Sequence, residues 1–256
     1  MISKNEIKEI KALGQKKFRD EQKLFVVEGE KLVEEALRSG FDVVAHYHMD
    51  EIGEETMARI SQLTHPSPAL AIVRQPEPKP FSITPDELVL ALDGIRDPGN
   101  LGTILRIADW FGIRQVLASE DTVDCYNPKV VQATMGAIFR VRVHYCDLPL
   151  QLMKDCAAAG GISGREHFSA SGTKYQSSGA IPVYGTFLEG DNIYQTELTK
   201  GGIIVMGSEA NGISPAVAAT VTRKLHIPTF PPDAHTSESL NVAVATAITC
   251  SEFRRR

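Results

Sequence analysis

Short apolar runs alternate along this chain with stretches whose apolar residues recur every three or four positions, the signature of mixed strands and helices. Ser3 and Glu6 have the spacing of a capping box, and Ile7, Ile10 and Leu13 follow at helical period, which predicts a first helix. Leu24–Val27 reads as a buried strand. Gly29–Arg38 predicts a helix with Leu32, Val33, Ala36 and Leu37 on one face, ended by Gly40. A strand over Phe41–Tyr47, a helix over Glu54–Leu63 and a strand over Ala69–Val73 complete a small α/β domain spanning 1–75.

The pattern then breaks. Pro76, Pro78, Pro80 and Pro85 exclude a helix or a central strand, so 76–87 reads as a stiff linker and a domain boundary. From 88 to 256 the alternation resumes as a second, larger domain. Leu88–Leu92 is an uninterrupted apolar run, the mark of a strand covered on both faces. A helix over Leu101–Phe111, strands at Gln115–Ala118 and Ile138–His144, and helices at Pro128–Met135 and Leu148–Ala159 follow. Strands at Val183–Phe187, Ile203–Met206 and Leu225–Ile227, a helix at Pro215–Thr220 and a final helix over Ser239–Phe253 complete the series. Gly161–Gly179, rich in Gly and Ser, reads as a mobile surface insertion with His167 an ordinary loop histidine.

Composition narrows the class. The 43% apolar and 23% charged content over 256 residues is that of a globular protein. No apolar window is long enough to span a membrane, and the charged N-terminus lacks a signal-peptide core, so a cytoplasmic protein is expected. The cysteines (Cys125, Cys146, Cys156 and Cys250) are scattered without CxxC spacing, which argues against a zinc site or a disulfide framework. His46 and His48 have no third ligand nearby in sequence, so no metal is expected. The net charge of −5 gives RNA binding no global support. Any such role rests on local patches: the lysines and arginine of 4–23, among them Lys16, Lys17 and Arg19, and the terminal arginines 254–256.

Three segments of the second domain carry the candidate chemistry. Each runs from a strand into a turn bearing Asn, Glu or Gly and then into a helix: DGIRDPGNLGTILRIA from Asp93, GIIVMGSEANG from Gly202, and the segment from Ile227 ending in ESLNVAVATAI. Polar groups at the mouths of parallel strands are where open α/β sheets bind ligands, so the three suggest one composite site. Arg106 lies within an otherwise apolar helix, and its charge must meet a carboxylate, a phosphate or water. Pairing with Asp93 or Asp109 and a role in the site are both open. Asn100 or Gly102 marks the start of that helix; Ser237, Ser239 and Asn241 fall at the start of the last one, where capping alone would explain them. No GxGxxG, P-loop, GxSxG or HExxH motif occurs.

Taken together, Asn100 with Arg106 in NLGTILRIA, Gly207 with Glu209 in MGSEANGIS, and Ile227–Pro228 followed by SLNV from Ser239 resemble the signature motifs of the SpoU (TrmH) RNA 2′-O-ribose methyltransferases of the SPOUT superfamily. QKKFRDEQKLFVVEGEKLVEEAL resembles their L30e-like substrate-binding domain. The resemblance implies an L30e-like domain at 1–75 and an α/β-knot methyltransferase domain at 88–256, with a deep trefoil knot and a mainly parallel sheet. It implies a homodimer acting on RNA, ribosomal RNA ahead of tRNA, and S-adenosylmethionine held by Gly207, Ile227 and Leu240, with Met206 and Pro228 beside them. In the same family Arg106, Asn100, Glu209, Ser239 and Asn241 would serve the reaction. A non-catalytic RNA-binding or ribosome-assembly factor of the same fold is the competing reading. The Pro228–Glu238 segment is longer than usual in the family, and Gly161–Gly179 has no counterpart there.

Overall fold

The buried apolar runs become the central strands of two sheets. A computed structural model describes residues 2–158, 165–168, 174–177, 181–231 and 239–255. In chain order its elements begin with α1 (Lys4–Ala12), α2 (Lys16–Gln22), β1 (Leu24–Glu28), α3 (Glu30–Arg38), β2 (Val43–His48), α4 (Met49–Ile52), α5 (Glu54–Ile60) and β3 (Ala69–Arg74). They continue with β4 (Leu88–Asp93), α6 (Pro98–Trp110), β5 (Gln115–Ser119), α7 (Pro128–Thr134), β6 (Arg142–Cys146) and α8 (Leu148–Ala158). Then come β7 (Arg165–Phe168), β8 (Lys174–Ser177), β9 (Val183–Asn192), β10 (Gly202–Gly207), α9 (Pro215–Ala218), β11 (Arg223–His226) and α10 (Val242–Arg255).

One compact unit comprises Met1–Pro80, Arg96–Trp110 and Val123–Arg142. Its sheet has the order β1-β3-β2, with β3 antiparallel to both neighbours. The capping box at Ser3 and Glu6 is formed, and it starts α1 so that Ile7, Ile10 and Leu13 pack on Met57 and Ile60 of α5 and on Val26, Leu70 and Ile72 of the sheet. In the same unit α6 packs on α7 at Gly102, where a Cβ would lie 2.4 Å from Ala133 Cβ. Glycine there is what lets two helix backbones approach so closely.

The second unit comprises Phe81–Ile95, Phe111–Thr122 and Val143–Arg256. Its six-stranded sheet has the order β11-β9-β10-β4-β5-β6. The pairs β4–β5, β10–β4, β10–β9 and β11–β9 are all parallel. Every residue of β4 is buried, as its unbroken apolar run predicts. Val89, Ala91, Leu117, Val183, Ile203 and Val205 form the sheet's share of the core, against Leu148 and Leu152 of α8. Phe81 and Ile83 pack against it, so the later half of the proline-rich segment is anchored.

Several elements differ from the sequence expectation. The strand expected over Ile138–His144 begins at Arg142, because Ala137–Phe139 forms a 3₁₀ turn after Gly136, whose φ is +92°. The last helix starts at Val242 rather than Ser239. Residues 165–168 and 174–177 form an antiparallel two-stranded ladder, so His167 belongs to a strand, not a loop. The rest of Gly161–Gly179, and 232–238 of the proline-containing segment, lie outside the described residues.

Candidate active site

In an open parallel sheet the ligand crevice lies at the carboxyl ends of the strands, where the strand order reverses. Here that point falls between β4 and β10: β5 and β6 extend the sheet on one side of β4, and β9 and β11 lie beyond β10 on the other. Asp93 and Gly207 stand opposite one another in register at these two ends. The first two of the three segments thus meet as neighbours, whereas β11, which leads to Ile227, is separated from β10 by β9.

The Gly207–Gly212 turn folds back on its own strand. Ser208 N–H donates to Gly212 O at 3.0 Å, Gly212 N–H returns the bond to Ser208 O at 2.9 Å, and Asn211 N–H donates to Ser208 Oγ at 3.2 Å. Gly212 takes φ +64° to close the turn. A Cβ on Gly207 would lie 2.1 Å from Gly212 C, so no other residue fits there. Asp93 Oδ2 accepts Ser214 N–H at 2.6 Å, which ties the far end of the turn to β4. A second set of bonds braces the β4–β5 side: Gly94 N–H donates to Ser119 Oγ at 2.8 Å, and Ser119 Oγ donates to Asp121 Oδ1 at 2.7 Å. These bonds fix the rim before any ligand arrives, the pre-organisation a site needs.

On this rim Gly207 is half-buried and Glu209 exposed; of the third segment, Ile227 and Pro228 are half-buried, and Ser239 and Leu240 exposed, and no bond ties them to the rim among the described residues. Met206 is 2% exposed, with its sulfur in reach of the Thr186 hydroxyl at 3.6 Å, so its side chain is committed to the core. Asn241, rather than Ser239, caps α10: its Oδ1 accepts Ala243 N–H at 3.0 Å and Val244 N–H at 3.3 Å. That helix packs on β10, the strand that carries Gly207.

Asn100 and Arg106 belong to α6, in the first unit. The helix starts at Pro98, three residues before the expected Leu101, because Asp97 caps it: Asp97 Oδ1 accepts Asn100 N–H at 2.8 Å and Asp97 O accepts Leu101 N–H at 3.1 Å. Asn100 is therefore in the first turn, with Leu101, Gly102, Ile104, Leu105 and Ala108 buried. Gly99, Thr103, Arg106 and Trp110 follow one another at helical spacing along the exposed stripe. Neither acid once available to Arg106 is its partner. Asp109 accepts from Arg140 at 2.8 Å, and Asp93 is committed to Ser214. Among the described residues Arg106 makes no ion pair.

Two RNA-facing expectations change. Arg19 is a correction: it is 2% exposed, bound through Nε and Nη2 to Asp124 at 3.0 and 2.6 Å and through Nη1 to Leu13 O at 2.8 Å. A guanidinium so enclosed ties α2 to the chain near α7 and cannot reach a phosphate. Lys16 is exposed but paired with Asp20 at 2.7 Å; Lys17 is exposed, its ammonium 5.9 Å from the Phe18 ring centroid. Burial pushes the Cys250 thiol up to about 12, and burial with Asp155, Asp147 and Glu120 pushes that of Cys146 up to about 11, so neither supplies a thiolate near neutral pH. Among the described residues no group of three or more His, Cys, Asp or Glu could hold a metal. Sequence reasoning missed the rim carboxylate of Asp93 and the cap of Asp97; an acid ending an apolar run, and Asp before Pro, are the signals that mark them.

An α/β protein with a glycine-pinned turn at a parallel-sheet crevice is the class these features define. The SpoU rRNA methylase family description matches residues 87–251, and that of an MRM3-like substrate binding domain matches 4–70. The chain belongs to the SpoU rRNA methylase family. It is 29% identical to the 23S rRNA (guanosine(2553)-2′-O)-methyltransferase RlmP of Bacillus subtilis, over 97% of this chain and 95% of that protein. Among solved structures it resembles a TrmH-family protein from Porphyromonas gingivalis, with 38% identity, a TM-score of 0.82, and coverage of 100% and 99%. An AdoMet-bound rRNA methyltransferase from Sinorhizobium meliloti matches at 28% identity and a TM-score of 0.79, covering 100% of this chain and 97% of that one.

Proposed function

We propose that the protein is a cytoplasmic, homodimeric, S-adenosylmethionine-dependent methyltransferase that modifies a ribose 2′-hydroxyl of 23S rRNA. The observation that carries this reading is Arg106, an exposed guanidinium on a rigidly capped helix with no acid partner among the described residues. A cation held out in this way is suited to an anionic substrate. Family membership and the AdoMet-bound relative support the cofactor.

The residues suit that cofactor chemically. Met206, Gly207, Ile227, Pro228 and Leu240 contribute main chain and apolar surface without a cation. The rim adds the carboxylates of Asp93, Asp121 and Glu209. A sulfonium is tolerated in such surroundings and a polyphosphate is not. When bound, S-adenosylmethionine supplies an electrophilic methyl group. The trefoil knot implied by the family resemblance belongs to this proposal, as the arrangement that gathers these loops.

The remaining work falls to the chain's own side chains. A guanidinium stays protonated near neutral pH and is a poor general base. Arg106 therefore clamps an RNA phosphate beside the target ribose and stabilises the negative charge that develops on the 2′-oxygen. The proton leaves to that phosphate or to water. Asn100 and Ser239 orient the ribose or Arg106, and Glu209 holds the turn. Asn241 fixes the start of α10. The dimer accounts for the exposed stripe of α6, which ends on Trp110, 84% exposed in the single chain.

The test is transfer of a labelled methyl group onto unmodified 23S rRNA and unmodified tRNA, followed by mapping of the modified nucleotide. Label on one ribose 2′-oxygen of 23S rRNA is the expected result. Label on tRNA alone overturns the substrate, and RNA binding without label overturns the activity.

A further inference from the structure

With Arg19 buried and Lys16 paired to Asp20, the free positive surface of the 4–23 patch narrows to its earlier lysines, which Arg59 joins from outside it. A groove of about 490 Å³ between α1 and α5 is lined by Lys4, Lys8 and Lys11 from the first helix and Arg59 from the second, over a floor that includes Ile7 and Ala58. No carboxylate lines it. This concentration is local, since the whole chain carries 27 Lys and Arg against 32 Asp and Glu.

Helix geometry explains the separation of charge. At about 100° per residue, Lys4, Lys8 and Lys11 fall within about 60° of one another on α1. Glu6 and Glu9 fall on other faces, and both are engaged: Glu6 accepts the Tyr47 hydroxyl at 2.7 Å and Glu9 accepts Asn5 Nδ2 at 2.7 Å. Lys4, Lys8 and Arg59 form no ion pair among the described residues. Glu55, one turn before Arg59 on α5, does not engage it. Lys11 donates to Ser61 O, which steadies the ammonium without neutralising it.

We propose that this α1–α5 groove is a docking site for the phosphodiester backbone of folded RNA, and so the place where the methyltransferase's substrate is held apart from the reacting ribose. This rests on the RNA-methyltransferase reading above. The lysines span about 10 Å along the helix axis, which is longer than one phosphate and matches a run of them. Contacts to phosphate carry no sequence information, so the site adds affinity and register rather than sequence choice.

The experiment measures affinity of the full chain for unmodified 23S rRNA against salt, for wild type and for a variant carrying Lys4→Gln, Lys8→Gln and Arg59→Gln. Each phosphate contact contributes about 0.7–0.9 to the slope of log K against log salt, so the variant's slope falls in magnitude by about 2 and its KM for RNA rises about tenfold. Its thermal midpoint and S-adenosylmethionine affinity match wild type. A control that removes the same charge elsewhere in the unit (Lys31→Gln, Arg38→Gln, Arg74→Gln) keeps the wild-type slope. Should the triple variant fold poorly, Lys8→Gln alone lowers the slope by about one contact's worth. An unchanged slope in the groove variants, or an equal fall in the control, overturns the proposal. So does loss of polyglutamate binding without loss of RNA binding, which would assign the groove to an acidic protein partner. Failure of the underlying reading looks different: wild type itself then transfers no methyl group to RNA.

Discussion

At the scale of single residues, two glycines do work that helix and strand propensities do not reveal. Gly102 lies in a helix interior, where alanine would favour the helix by about 1 kcal/mol. Its absent Cβ, however, occupies space 2.4 Å from Ala133 Cβ and 2.8 Å from Val130 O. Overpacking of a rigid backbone contact costs about 1–3 kcal/mol, so contact outweighs propensity. Gly102→Ala is therefore expected to lower stability by up to about 2 kcal/mol, net, in urea unfolding followed by far-UV circular dichroism; a stabilised protein would show that α6 and α7 are less tightly apposed. Gly207 is the same case at the crevice, where the Gly212–Ile213 backbone leaves no room. The motifs named both glycines, yet the atoms they avoid come from Val130 and Ala133, far along the chain, or from a turn's own return, which no local pattern records. The same holds for Arg19: in sequence it belongs to a basic patch, and only folding brings Asp124 to it.

At the scale of elements, legibility followed how local the determinant is. The capping box of α1 and the all-apolar β4 were readable because their causes lie within a few residues. The start of α6 was misjudged because Asp97–Pro98–Gly99–Asn100 suits a turn as well as a capped first turn of helix; Pro at the first helical position and Asp before it resolve the ambiguity. Asp97→Ala is expected to cost about 0.5–2 kcal/mol and to fray the first turn that carries Asn100, seen as faster amide exchange at Asn100 and Leu101. Unaltered exchange there would mean that the cap is dispensable. The strand expected at 138–144 failed for another reason: Ile138 and Phe139 are buried from a 3₁₀ turn, and a short apolar run cannot distinguish that from a strand. Asn241 took the capping role that its serine neighbours could equally have filled.

At the scale of the whole molecule, net charge said little about an RNA substrate, because it averages over surfaces that act separately. The fold class was legible from the alternation of runs, and the family from three motifs in order. What the alternation could not supply was the strand order, which makes the ends of β4 and β10 neighbours and so turns two of those motifs into one rim. Side-chain oxygens that accept main-chain N–H groups hold that rim, Asp93 from Ser214 and Ser119 from Gly94, so the surroundings proposed for the cofactor are built without Arg106. On the proposed assignment, cofactor binding and methyl transfer are expected to be separable. The direct measurement is a pair of assays on Arg106→Ala and Arg106→Lys: calorimetric affinity for S-adenosylmethionine and labelled methyl transfer to 23S rRNA. Cofactor affinity within about twofold of wild type, with transfer reduced by at least about 10²-fold in the alanine variant and only partly restored by lysine, is the predicted outcome. Transfer that survives in Arg106→Ala, or parallel loss of both measurements, would contradict it.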